Sequence, residues 1–408
     1  MNKNGATDIQ QSTANKILVI APGNHHLRDR WGWRTSAQTI FHIAQSSEAV
    51  KAAFSAHNVL PKAVILTWRT VNPPETIEYI QLIKQFRRIS QIEIPFIIFA
   101  SQNAIIPPDL KPHSVFCEPV PIQTLLDEVE HLQRFIIRAE EAKVRRKLFG
   151  PLLTERTTHD QSRAILLYGH HQKAQLIQNI TGRKIIEFGN NEDLFAIPAD
   201  DKQKIDAVVI DCPEWSTVNI IPQIPNIFRT QRLPIIAICH DIDETERLYS
   251  SGASAVLFKG TTTSAFRSHL NVILRSQRRS RISDAMLQRS SQWLSRSDNS
   301  GVVSKRVFDL YMNGLKRSTK RRGETINQLN LLELIERFTN CKLSQLTNNG
   351  DHLTGTVLSI AMAVCRDEDF VANVEGYGPV AVLRSKQGLD ELSSRILLMV
   401  QTTGLGNG

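Results

Sequence analysis

Three stretches decide the fold: IDAVVIDCPEW at residues 205–215, LPIIAICHD at 233–241 and SGASAVLFKG at 251–260. Each contains a short run of apolar and β-branched residues, which predicts a buried strand. Helical patterns separate the runs, and parallel strands require such crossover connections. The stretches therefore predict an α/β fold in which helices cover both faces of a doubly wound parallel sheet.

The same order of strands occurs twice, so the chain contains an approximate internal duplication. A helical segment at 136–150 ends before Gly150–Pro151, and a basic helix from Thr263 to Gln292 leads into a serine-rich turn. The predicted strands are 17–20, 63–66 and 96–99 in the first copy and 164–167, 207–210, 235–238 and 255–258 in the second. The predicted organisation is a disordered N-terminus at 1–15, copies at 16–150 and 160–282, and a third domain at 296–408.

Composition narrows the class of protein. With 408 residues the chain exceeds what one hydrophobic core usually organises, and 41% hydrophobic with 22% charged residues is typical of soluble globular proteins. The longest apolar runs have strand length, so no membrane span is predicted. Residues 1–15 are polar and lack the apolar core of a secretory signal, which predicts a cytoplasmic protein. Five single cysteines, with no paired spacing, predict reduced thiols and no zinc site.

The net charge of +9 is concentrated in two basic blocks. The first comprises Arg275, Arg278, Arg279 and Arg281, and the second comprises Lys316, Arg317, Lys320, Arg321 and Arg322. Such blocks can meet nucleic acid or an acidic partner. Few aromatic residues are interleaved to stack on bases, so a solvated helix face is the favoured interpretation and nucleic acid is not the expected partner.

The second copy resembles the receiver domain of bacterial response regulators in the three stretches quoted above. The resemblance implies a flavodoxin-like fold, with Asp211 at the phosphoacceptor position and Lys259 at the lysine position after the last strand. Tyr168 and Gly169 stand where the family has its acidic pair, and Cys239 stands at the hydroxyl position. One carboxylate holds Mg²⁺ poorly, so we expect no phosphorylation, no metal, and a vestigial Asp211–Lys259 ion pair.

The first copy lacks every reactive residue of that family. Its corresponding positions carry Ala21–Pro22, Thr67, Ala100 and Glu118. Nothing there can accept a phosphoryl group. The last strand and helices of such a domain remain available as a packing surface, which predicts a homodimer through the receiver-like domains or docking of other signalling proteins.

Residues 296–408 resemble the GGDEF domain of diguanylate cyclases, most clearly in NGDHLTGTVLSIAMAVCRDEDFVANVEGYGPVAVL at 349–383. The resemblance implies an α+β domain in which Glu375–Pro379 occupies the place of the signature hairpin. The acidic metal ligands of the signature are absent, and Gln328 aligns with the upstream metal aspartate. The sequence stops after a helix near 390–402, so the last strands and helix of the family domain are expected to be missing. A degenerate, partial domain without cyclase activity or cofactor is the prediction.

The domain resemblance also implies a ligand. Many GGDEF domains bind cyclic di-GMP at an R-x-x-D motif, which Arg366 and Asp369 match, and Arg395 falls near a second arginine of the family. Arginine can clamp a guanine edge or phosphate, and a carboxylate can accept from guanine N–H groups. Taken together, the chain resembles PleD/PopA-like response regulators with two receivers and a degenerate GGDEF domain.

Three functions stay open from the sequence. The leading one is a non-catalytic signalling or scaffold protein of the response-regulator type, to which the resemblance adds cyclic di-GMP sensing through Arg366 and Asp369. The first alternative is an active, phosphorelay-controlled diguanylate cyclase. The second is a binder of nucleic acid or an acidic partner through the basic helices.

Overall fold

The computed structural model describes most of the chain, and two compact units emerge from its contacts. One unit is Met1–Arg134 with Thr157–Arg279, and the other is Phe135–Arg156 with Ser280–Gly408. The predicted disordered segment 1–15 lies outside the described residues. The structure describes residues 16–22, 40–55, 60–68, 74–90, 92–150, 163–169, 171–202, 204–211, 219–228, 232–295, 302–322, 324–339, 350–384 and 386–402.

The first copy forms a five-stranded parallel sheet in the order β2-β1-β3-β4-β5. The apolar runs of β3 and β4 are buried along their whole length, as expected for central strands covered on both faces. The elements are β1 Lys16–Ile20, β2 Ile40–Ala44, α1 Ser47–Ser55, β3 Ala63–Trp68, α2 Pro74–Ser90, β4 Phe96–Ala100, β5 Ser114–Cys117 and α3 Ile122–Phe149.

The second copy repeats this topology, with β7 at one edge and β10 at the other. Both sheets have the flavodoxin-like order, which confirms the predicted fold class and the duplication. The elements are β6 Ala164–Tyr168, α4 His171–Thr181, β7 Lys184–Phe188, α5 Asn191–Ala196, α6 Ala199–Lys202, β8 Ile205–Asp211, α7 Ile224–Ile227, β9 Ile235–Cys239, α8 Thr245–Ser250, β10 Ala255–Phe258 and α9 Thr263–Leu294.

The C-terminal region builds an antiparallel sheet in the order β11-β13-β12. The two strands β12 and β13 alternate strictly, because successive side chains of a strand point to opposite faces. Phe370, Ala372 and Val374 of β12 join one core, and Val371 joins the other. The elements are α10 Lys305–Arg322, β11 Asn327–Asn330, α11 Leu331–Thr339, α12 Gly350–Val364, β12 Phe370–Val374, β13 Gly378–Leu383 and α13 Lys386–Thr402.

Helices cover both faces of this small sheet. On one face, α11, α12 and α13 bury Leu331, Val357 and Ile396. On the other face, α10 packs with the last turns of the two long helices through Phe149, Leu294 and related apolar residues. The ends of α3 and α9 thus belong to the core of the C-terminal unit. Among the described residues, no helix is long and apolar enough to cross a membrane.

Candidate functional site

Asp211, the predicted phosphoacceptor, lies at the end of β8 with its side chain almost fully buried. Its partner is Lys173 of α4, whose Nζ lies 2.6 Å from Asp211 Oδ2. His240 Nε2 lies 3.8 Å from the other carboxylate oxygen, Oδ1. An ammonium group therefore lies against the Asp211 carboxylate and neutralises it.

The expected ion pair between Asp211 and Lys259 is wrong, because the cation that contacts Asp211 is Lys173. Lys259 follows β10 with an exposed side chain, whereas Lys173 belongs to the first turn of the helix after β6. A lysine one turn into that helix can reach across the carboxyl ends of β6 and β8, which are neighbours in the sheet. No sequence pattern indicates this contact, because Lys173 matches none of the positions that the receiver resemblance singles out.

Backbone geometry brings Asp211 close to the loop that replaces the acidic pair. Gly169 has φ +141°, and a Cβ atom there would lie 2.7 Å from Asp211 Cβ. A side chain at this position would collide with the aspartate, so glycine is required for the close approach. Tyr168 instead packs its ring against Phe188, with centroids 5.4 Å apart and the ring planes tilted by 58°. Neither residue has a carboxylate with which to hold a metal ion.

The remaining receiver positions are equally unreactive. Cys239 at the hydroxyl position is buried, and burial raises the pKa of its thiol to about 11. In the first copy, Ala21 and Ala100 are buried. The hydroxyl of Thr67 donates a hydrogen bond to the backbone carbonyl oxygen of Ile20, at 3.4 Å. Glu118 is half-buried next to a cis Glu118–Pro119 bond.

The two receiver-like copies pack together within one unit, and a buried polar cluster marks the contact. Tyr249 of α8 accepts from Cys117 N at 3.1 Å and also lies 3.3 Å from Cys117 O. His269 of α9 lies 3.7 Å from Cys117 Sγ through Nδ1 and 3.1 Å from Ala104 O through Nε2. Burial lowers the pKa of His269 to about 4, so the imidazole is neutral at pH 7.

The first basic block belongs to this contact between copies. Arg275 Nη2 donates to Pro112 O at 2.9 Å, and Arg279 forms a bidentate pair with Glu93 at 2.8 and 2.6 Å. Burial opposes ionisation of Glu93, but hydrogen bonds from His113 and Arg279 outweigh it and hold its pKa below the usual range. Arg275 and Arg279 therefore do not belong to the solvated helix face that was predicted, because they bind residues of the first copy.

In the C-terminal unit the hairpin between β12 and β13, where the sequence predicted the signature position, packs against the start of α10. Tyr377 lies at its tip, where its ring meets Phe308 at 5.9 Å and Lys305 Nζ at 5.6 Å. Gly376 and Gly378 both have positive φ, which the tight turn requires. Gln328 of β11 is exposed and carries no charge. Within the described ranges, no group of three or more His, Cys, Asp and Glu residues has a metal-holding arrangement.

The R-x-x-D motif forms the turn between α12 and β12. Arg366 N donates to Asp369 Oδ2 at 3.0 Å, so the aspartate stabilises the backbone of its own turn. Burial raises the pKa of Asp369 to about 6, and the nearby Glu368 adds to the effect. The guanidinium of Arg366 is exposed. Arg395 lies on the exposed side of α13, and no contact joins it to the pair in the part of the chain that the structure describes.

Two arginines of α3 hold this turn in place. Arg138 donates to Asp367 at 3.0 Å and to Glu368 at 2.9 Å, and it also binds Asp284 of α9 at 2.8 Å. Arg145 Nη2 donates to the carbonyl oxygen of Asp369 at 2.7 Å. Arg138 therefore offsets only part of the negative charge of Asp367 and Glu368, because its single charge is shared with Asp284.

Arg145 is also the centre of a buried ionic network. Both Arg145 and Glu141 are 0% exposed, and Arg145 Nε donates to Glu141 Oε1 at 2.8 Å. Tyr311 donates its hydroxyl to the same oxygen at 2.9 Å, and Arg384 reaches Glu141 Oε2 at 3.4 Å. Sequence reasoning missed this network because its members come from α3, α10 and β13.

Comparison with known proteins gives structural likenesses at low identity. No family model matches the chain, and no curated protein matches it. A response regulator from Thermotoga maritima is similar at 18% identity over 28% of this chain and 98% of its own, with a TM-score of 0.24. A two-component response regulator with a GGDEF domain is similar at 13% identity over 67% and 99%, with a TM-score of 0.23.

A third likeness is to the C-terminus of RcsC from E. coli, which contains a linker region and a phosphoreceiver domain. It has 12% identity over 65% of this chain and 95% of its own, with a TM-score of 0.25. Identities and TM-scores this low do not establish what the chain does.

Proposed function

We propose that the chain is a non-catalytic signalling or scaffold protein of the response-regulator type. The observation that carries the proposal is the Lys173–Asp211 contact of 2.6 Å. Phosphotransfer to an aspartate needs a divalent cation that neutralises the phosphoryl group and leaves the carboxylate able to attack. A lysine held against the carboxylate supplies the neutralising charge permanently, so the second copy is a receiver fold without the switch.

The proposal extends to the C-terminal unit. Cyclase chemistry depends on carboxylates that hold a metal ion at the attacking hydroxyl, and Tyr377, Gly378 and Gln328 supply none. The packing of Tyr377 on Phe308 also supports a structural role for the hairpin. The function left to such a protein is to bind partners and to pass on their state. Because β5 and β10 already meet within the chain, a homodimer would use other surfaces.

Incubation with GTP and Mg²⁺, followed by chromatography for cyclic di-GMP, tests the absence of cyclase activity. We expect no product above a protein-free control, since the electrostatic stabilisation of the transferring phosphoryl group is missing. Product formed by the wild type and lost on Tyr377→Ala would show that the hairpin is catalytic and that the proposal is wrong.

A second candidate function is the sensing of cyclic di-GMP at Arg366 and Asp369. Two observations favour it: the guanidinium of Arg366 is exposed, and Arg138 contacts both acidic residues between the two motif positions and offsets part of their negative charge. Asp369 Oδ2 is bound to the backbone of Arg366, and within the described residues Oδ1 forms no hydrogen bond. That oxygen can accept from a guanine N–H group once the carboxyl is ionised.

Calorimetric titration with cyclic di-GMP tests this candidate, and the raised pKa of Asp369 gives it a pH signature. We expect micromolar binding at pH 7.5 that weakens as the pH falls through about 6, because the protonated carboxyl is a poorer acceptor. Arg366→Ala and Asp369→Ala should each weaken binding at least about tenfold, as expected for loss of one charged hydrogen bond. Arg337→Ala, at an exposed arginine elsewhere in the unit, is the control. Absence of heat with the wild type would contradict sensing and leave the non-catalytic assignment intact.

A further inference from the structure

The second basic block is part of a larger surface that two helices share. In the C-terminal unit α3 and α10 run antiparallel along a seam in which Glu140 meets Arg322, Glu141 meets Tyr311, and Val144 lies against Gly314. A Cβ atom on Gly314 would lie 3.4 Å from Val144 Cγ1, so the glycine allows a close approach of the helices. The side chains beside the seam on the solvent side therefore form one continuous surface.

The exposed stripe of α10 is cationic. Phe308, Tyr311, Leu315 and Thr319 are buried, which fixes the orientation of the helix. The opposite stripe follows the spacing i, i+4, i+7, i+11, i+14 and is exposed at every position. Its members are Arg306, Leu310, Asn313, Arg317 and Lys320.

The helix α3 adds a second row of cations beside this stripe. Lys143 and Lys147 are exposed, and they flank the seam residue Val144 on one face of α3 because they are four residues apart. The carboxylate of Glu140, which also borders the seam, is neutralised by Arg322 and Arg384. Asp309 is also exposed, three residues from Arg306 and four from Asn313, so it places one negative charge at the far edge of the stripe. We call the five cations Lys143, Lys147, Arg306, Arg317 and Lys320 the basic surface.

We infer that the basic surface is a binding site for double-stranded nucleic acid, contacted through its phosphate backbone. Duplex DNA carries one negative charge per about 1.7 Å of axis, so exposed cations on two neighbouring helices can each reach a phosphate. None of the five residues is aromatic, so they offer no ring on which the bases of a single strand could stack. The surface reads no base sequence, because it presents lysine and arginine without a helix aimed into a groove.

The chemistry of the surface disfavours the other polyanions. A protein partner would normally meet aromatic or aliphatic anchors, whereas Leu310 is the large apolar side chain exposed within the stripe. An amphipathic helix that inserts into a membrane buries its apolar face in lipid. The apolar face of α10 is already buried in the core of the unit, through Phe308, Tyr311 and Leu315.

Fluorescence anisotropy with a labelled 20-base-pair DNA duplex tests the inference in the full chain. We expect micromolar affinity at 50 mM salt, with log K falling against log salt at a slope of about −4.5 for five neutralised phosphates. The variant Lys147→Gln/Arg317→Gln/Lys320→Gln should bind at least about tenfold more weakly, with a slope near −2. All three positions are exposed, so the fold should be retained.

The matched control removes the same charge elsewhere. Lys111→Gln/Lys184→Gln/Arg267→Gln lies in the other compact unit, at three exposed positions, and should keep the wild-type affinity and slope. Equal weakening by the two triple variants would overturn the inference, since net charge alone would then explain binding. Binding of phosphatidylglycerol vesicles without binding of the duplex would overturn it in favour of a lipid surface.

Discussion

Replacing Arg145 with alanine is expected to lower the free energy of unfolding of the C-terminal unit by about 3–5 kcal/mol. The substitution removes four hydrogen bonds, to Glu141, Ser290, Ser291 and the carbonyl oxygen of Asp369. It also leaves the carboxylate of Glu141 buried, with Arg384 at 3.4 Å as its remaining cation. A buried charge without a nearby opposite charge destabilises the fold, because burial removes the water that would solvate it.

Amide hydrogen exchange in β12 measures this loss, since the strand lies at the centre of the affected core. The control is Arg146→Ala, the neighbouring exposed arginine, which should change protection by less than about 0.5 kcal/mol. Arg145→Lys should fall between the two, because lysine keeps the charge but cannot donate in the planar fork of arginine. A loss below about 1 kcal/mol for Arg145→Ala would show that the network is not needed for stability.

The second large effect is expected from the Lys173–Asp211 pair. Lys173→Met should lower the free energy of unfolding by about 2–4 kcal/mol. This loss is at or below the range for a fully buried pair, because the lysine side chain is 24% exposed. The substitution leaves Asp211 buried, with His240 at 3.8 Å as its remaining basic neighbour among the described residues. The double variant Lys173→Met/Asp211→Asn should cost less than the sum of the two single variants, with a coupling of about 1–3 kcal/mol.

Amide hydrogen exchange in the central strand β8 measures the stability of each variant in this double-mutant cycle. Lys259→Met is the matched control, since Lys259 has the same side chain in an exposed position and stands where a receiver has its lysine. We expect it to leave β8 protection unchanged within about 0.5 kcal/mol. Equal losses for Lys173→Met and Lys259→Met, or strict additivity in the cycle, would contradict the assignment of Lys173 as the partner of Asp211.

The central strands could be predicted from the sequence because each is a continuous buried run, and all the predicted strands lie within observed ones. The edge strands β2, β5 and β7 were not predicted. Lys184–Phe188 is exposed or half-buried at four of its five positions, so its pattern lacks the continuous apolar run that marks a strand covered on both faces. Pairing with β6, rather than its own composition, makes it a strand.

The helix at 136–150 illustrates a different limit. Its propensity and its end before Gly150–Pro151 were predictable, and α3 ends at Phe149. The burial of Arg145 and Glu141 was not, because charged residues are rarely buried unless they are paired. Their partners Tyr311 and Arg384 lie far along the chain, and no local pattern connects them. The same reason applies to Lys173 and Asp211.

Only the structure shows that the two basic blocks differ in their surroundings. Both appear in the sequence as runs of arginine and lysine, but Arg275 and Arg279 bind Pro112 and Glu93 while Arg317 and Lys320 face solvent. Burial of Phe308 and Tyr311 orients α10 and decides this difference. Composition alone therefore could not assign one block to packing and the other to a binding surface.

The most direct test of the central claim, that the second copy carries no phosphotransfer switch, is intact mass spectrometry of the full chain after incubation with acetyl phosphate and Mg²⁺. The Lys173–Asp211 contact predicts no mass increase on treatment, as for Asp211→Asn treated in parallel. A mass increase of one phosphoryl group in the wild type, absent from Asp211→Asn, would contradict the account and restore Asp211 as a phosphoacceptor.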